Sequence, residues 1–167
     1  MREILFRGKS DDFGELVEGS LLYDPDLEQY LIWGFDHYNG VTGLQRDEFC
    51  YHVIPSTVGQ YTGLLDKHGK KIFTEDIVQY RTYDDFTCTS VVKLGEYKQD
   101  GSSGEYNGID CIGYYVAVIE FICPDWCDED FCFFHEHLKA QNILEVAKEC
   151  EVIGNIYDNP ELLEQKG

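Results

Sequence analysis

Positive charge is what this sequence has least of: 13 Lys and Arg stand against 32 Asp and Glu, a formal charge of -19 over 167 residues. Such a surface repels phosphate and excludes nonspecific nucleic-acid binding as an expected activity. The only basic cluster, Lys67 to Lys71, reads as a solvated turn. Long hydrophobic runs are missing too. The longest clear one, Tyr114 to Ile119, is strand-sized, so no membrane partner is expected. The start Met1-Arg2-Glu3 lacks the apolar core of a signal peptide. Seven cysteines are an odd number without the spacing of a small secreted scaffold, which points to reduced thiols in a cytoplasm. No phosphate loop, no nucleophile beside a base and no internal repeat is present.

Aromatic residues are plentiful. Twelve Tyr and ten Phe, within 43% hydrophobic content, favour strands, because flat rings pack well on pleated surfaces. The length suits one domain, or a barrel with a smaller N-terminal lobe.

The most readable stretch is Val53 to Val78, VIPSTVGQYTGLLDKHGKKIFTEDIV. Asp66-Lys67-His68-Gly69 lies between two strand-like runs, and a polar tetrad ending in Gly suits a turn with one left-handed residue. Gly59 and Gly63 flank Tyr61, where small residues permit close backbone approach or a sharp change of direction. Thr74-Glu75-Asp76 breaks the apolar run before Ile77-Val78, so a second turn is expected there.

This stretch, the start Met1 to Arg7 (MREILFR) and the end Glu151 to Leu162 (EVIGNIYDNPEL, with Gly154) resemble, in that order, the YopX family of small proteins encoded largely by phages and prophages. The resemblance implies a mostly β fold with a barrel similar to the SH3 type, the bacterial host cytoplasm as location, and no established activity. One departure stands out. The family usually carries Gly in an E-G-D-I-V segment where this chain has Glu75 before Asp76, so either Glu75 takes a strained positive φ or the turn differs.

Along the chain, residues 1–55 read as an N-terminal β lobe of three or four strands, with Gln29 to Phe35 and Phe49 to Ile54 the clearest. Residues 56–158 read as the barrel-like β domain. It contains a loop at 99–110, whose small polar residues bury too little to order themselves, and one main helix over 136–149, where apolar residues recur at helical spacing. Residues 159–167 form a tail, with Asn159 and Pro160 suited to open a short terminal helix. The expected class is therefore β-rich α+β.

Chemistry is concentrated in one segment. Cys123, Cys127, Cys132, His135 and His137 place three thiols and two imidazoles, zinc's preferred ligand types, within fifteen residues. The spacing does not match paired C-x-x-C knuckles, and the bland alternative is that the cysteines are small core hydrophobes. Asp125, Asp128, Glu129 and Asp130 between them offer oxygen ligands of the kind Ca²⁺ or Mg²⁺ takes, but without a Gly-centred loop they read as an exposed acidic turn. Asp36-His37 and Cys50-Tyr51-His52 set acid, imidazole and thiol near one another in sequence, without an orienting geometry. The sequence thus supports a nonenzymatic protein-binding module without a cofactor, as a single chain or a homo-oligomer. Two alternatives stand beside it: an acidic decoy of a nucleic-acid-binding protein, and a zinc-holding domain or enzyme built on Cys123 to His137.

Overall fold

The computed structural model describes residues 3–40, 43–83, 85–99, 109–127 and 139–164. They form a mainly β chain with two antiparallel sheets, and the chain divides into two compact units, Met1–Gly63 and Leu64–Gly167.

In the first unit, β1 (Phe6–Lys9), β2 (Leu16–Asp24), β3 (Gln29–Gly40), β4 (Gly43–Val53) and the start of β5 (Gly59–Leu65) lie in the order β4-β3-β2-β1-β5. The turn between β2 and β3 is Asp24-Pro25-Asp26, where the Asp24 carboxylate accepts the amides of Asp26 and Leu27. Its register sets Tyr23 opposite Tyr30. Ile32 and Val53 are fully buried or nearly so. Gly8 is small because a Cβ there would press on the side chains of both.

In the second unit, β5 ends and the turn at Asp66 returns the chain into β6 (Lys71–Phe73). A second sheet follows, in the order β10-β9-β8-β7-β11: β7 (Asp76–Arg81), the long ribbon of β8 (Thr87–Gln99) and β9 (Ile109–Ile122), then β10 (Ala140–Asn142) and β11 (Glu151–Asn155). Ile72, Val78, Tyr80, Val92, Val116 and Val152 are among the residues of its core. Full burial of one such aliphatic side chain is worth about 1.5–3 kcal/mol.

Two expectations need correction. The two edges of this sheet, β10 and β11, do not pair with each other, so no SH3-like barrel closes; β11 pairs antiparallel with β7, at Asp76 to Val78 of the Val53–Val78 stretch and at Gln79 just beyond it. The helix expected over 136–149 is also far shorter among the described residues. Ala140–Asn142 pair with β9, and only Ile143–Val146, α1, is helical. The helical spacing was nevertheless real: Ile143, Val146, Ala147 and Cys150 all face the core. One turn and the bend after it suffice to bury them, while Asn142 caps that turn by accepting the Leu144 amide. Residues 128–138, and residues 100–108 of the 99–110 loop, lie outside the described residues, while Gln99, Ile109 and Asp110 belong to β8 and β9. At the C-terminus Pro160–Leu163 form one 3-10 turn.

Candidate interaction surface

The residues of the Val53–Val78 stretch hold backbone in place. Asp66 is buried, and its carboxylate accepts the amides of His68, Lys70 and Val152 at 2.8, 2.9 and 3.0 Å. It thereby ties its own turn to β11. Burial raises its pKa, but the three amides together outweigh burial and leave it below the usual carboxylate value. Gly69 has φ +82 and Gly63 φ +81, conformations that cost a glycine nothing. Gly59 is buried at the start of β5. Asp76, almost fully buried, accepts the Phe73 amide at 2.8 Å. Between them Glu75 has φ +69, the conformation for which the resemblance predicts Gly. Lys93 donates to its side chain at 2.6 Å. A Cβ on Gly154 would strike the side-chain amide of Asn159, which accepts the Asn155 amide.

Neither of the two buried thiols is set up as a nucleophile. Burial pushes Cys88 and Cys150 up to about 11, and a thiol held protonated is inert at neutral pH. Tyr80, raised chiefly by burial, donates to Gln141 at 2.8 Å. The nearby cleft of about 380 Å³ is lined by Lys67, Arg81 and Glu149 among others. Its cations are already matched, Lys67 by Glu151 at 2.7 Å and Arg81 by Asp85 at 3.0 Å.

Of the zinc-type segment, Cys132, His135 and His137 lie outside the described residues. Cys123 is disulfide-bonded, and Cys127 is in no disulfide. No group of three or more metal-ligating side chains occurs among the described residues. Of the Asp36-His37 and Cys50-Tyr51-His52 groupings, Asp36 pairs with Asp47 and Cys50 with Trp33 across the β3–β4 ladder. His52 Nδ1 is buried without a partner among the described residues.

The sheet of the first unit offers a surface instead. Leu22, Leu31, Trp33 and Phe35 fall on one face by strand alternation and register. Leu22 and Phe35 are exposed. Trp33 and Phe35 meet edge to face at 4.9 Å, Trp33 donates to Glu48 at 2.6 Å, and the Arg46 guanidinium lies 4.6 Å from the Phe35 ring centre. From sequence alone Gln29 to Phe35 reads as a strand, with no role assigned to its outward side chains. The overlooked signal was that Gln29 to Phe35 is apolar at both odd and even positions, which leaves one apolar set facing out unless another layer covers it.

The family model described as YopX protein matches residues 5–164. The chain belongs to the YopX family. No curated protein matches it. Among solved structures it is similar to the crystal structure of protein EF1440 from Enterococcus faecalis, with 21% identity over 98% of this chain and 100% of that one, at a TM-score of 0.48. A likeness of that size says nothing of function. In this YopX protein the network around Asp66, Gly69, Glu75 and Asp76 occupies the signature stretch, so its most recognisable residues are architectural. No helix among the described residues is long and apolar enough to cross a membrane.

Proposed function

We propose that this YopX protein is a nonenzymatic binding module, encoded by a phage or prophage, that works in the host cytoplasm by engaging a basic host protein. The observation that carries this reading is the Leu22, Leu31, Trp33 and Phe35 stripe on a chain of charge -19. Aromatic and aliphatic anchors supply affinity at protein interfaces, and surplus carboxylates select a cationic partner and speed encounter. In its most specific form the partner is a nucleic-acid-binding protein whose basic surface this chain occupies as a decoy. Five of the six described cysteines are in no disulfide, Cys123 being the sixth, a balance that suits a reducing compartment.

The test is a pull-down from host lysate with tagged protein, washed at low and high salt. A basic protein retained at low salt, released at high salt and lost with Trp33→Ala supports the proposal. Retention of no protein at either salt would overturn it.

A further inference from the structure

We infer that the outer edge of β4 takes up a basic, extended segment of the partner as an added strand. This rests on the reading above and names where and how the partner docks. β4 ends the order of its sheet, so its outer edge is open except near its C-terminal end. There the Asp11 amide donates to the His52 carbonyl, and the Ile54 amide to the Lys9 carbonyl. Those two bonds fix the polarity of the edge. Backbone groups alternate sides along a strand, and the β3–β4 register runs without a shift. Since residues 52 and 54 point outward, so do the amides and carbonyls of Arg46, Glu48 and Cys50. None of these three has an outer backbone partner among the described residues. Such a row is a template for an incoming strand.

Charge chooses the occupant. Asp47 lies directly opposite Asp36, and both are exposed. No described cation pairs with either. Like charges facing each other across a ladder are destabilising, and a Lys or Arg on an added strand, set beside Asp47, would relieve that. Beyond Asp47 on the same face come Phe49 and Tyr51, stacked at 5.2 Å between ring centres. The fitting segment therefore alternates: a cation against Asp47, an apolar residue against Phe49, and a second cation against Glu48 on the other face, ending short of Tyr51, whose ring Phe13 already meets. A second copy of this chain fits worse. The two-fold register that sets Arg46 against Glu48 also sets two Asp47 carboxylates face to face.

The test uses a fluorescent peptide of about ten residues, with lysine placed against Asp47 and Glu48 and valine against Phe49. It is titrated into the full chain, with a peptide bearing glutamate for lysine as control. The lysine peptide is expected to bind and to raise amide protection at Arg46, Glu48 and Cys50, while the glutamate peptide is expected not to bind. Asp47→Lys should weaken binding at least tenfold. Cys50→Pro removes an outward N–H on an edge strand, where proline is tolerated, and should abolish binding, whereas Cys50→Ala should leave it unchanged. Equal binding of both peptides, or full binding by Asp47→Lys, overturns the inference, as does concentration-dependent dimerisation protecting the same amides without peptide. If a basic protein is captured from lysate equally by wild type, Asp47→Lys and Cys50→Pro, the edge inference fails while the proposed function stands. If the peptide binds as expected but lysate yields no basic protein, the proposed function fails and the edge assignment stands.

Discussion

The Val152 amide ends on the carboxylate of Asp66, 3.0 Å away and 86 positions back in the chain. One side chain thereby fastens the turn after β5 to β11. Hydrogen bonds to a charged acceptor contribute about 1.5–3 kcal/mol each, and orphaned buried amides add a desolvation cost. Asp66→Ala is expected to destabilise the protein by roughly 3 kcal/mol or more, read from urea unfolding. Asp66→Asn, which keeps one acceptor oxygen, should cost less.

The same carboxylate gives a pH signature. Its pKa in the folded state is lowered from the usual 3.8, so its contribution is present above the unfolded value and is lost as pH falls through the folded one. Stability should therefore decline on acidification below about pH 4, and the decline should be shallower in Asp66→Asn. Parallel acid limbs for both proteins would show that Asp66 is not the group responsible.

Glu75 holds φ +69 while its side chain pairs with Lys93. Replacing it by Ala keeps the backbone cost and loses the pair, whereas Gly loses the pair and the cost together. Glu75→Gly is thus expected to be more stable than Glu75→Ala by about 1 kcal/mol, since a left-handed non-glycine residue costs about 1–2 kcal/mol. Thermal unfolding of both variants decides it. Equal stability would mean that the turn relaxes out of positive φ.

Two glycines should differ in their tolerance of a methyl group. A Cβ on Gly19 runs into the backbone carbonyl of Trp33, whereas the nearest atoms to one on Gly154 belong to the side chain of Asn159. Backbone within a ladder cannot give way as a side chain can. Gly19→Ala is expected to cost about 2–3 kcal/mol, and Gly154→Ala less, by denaturant unfolding of each.

The thiols should sort by burial. Cys50 is exposed, while Cys88 and Cys150 are buried and held protonated to about 11. Iodoacetamide at neutral pH, followed by mass spectrometry, should label Cys50 within minutes and leave Cys88 and Cys150 until the protein is unfolded.

What the sequence made legible was local. Asp66 to Gly69 announces its turn because side-chain capping and positive φ each demand particular residue types, and Glu75 could be questioned because one position broke that logic. Sheet closure depends on which edges meet, and no single residue encodes that, so a barrel and an open sheet share the same turn residues. The 136–149 pattern was read as a long helix because the spacing of Ile143, Val146, Ala147 and Cys150 is the same whether one turn or four carry it. The apolar stripe through Trp33 escaped notice for a related reason: an outward apolar set differs from an inward one only in what covers it.

The most direct test of the central claim is the affinity between the purified protein and the basic protein captured from lysate, measured by calorimetry as salt is raised. Binding that weakens steeply with salt, and weakens again in Trp33→Ala, is the expected result. Affinity indifferent to both salt and Trp33 would contradict it.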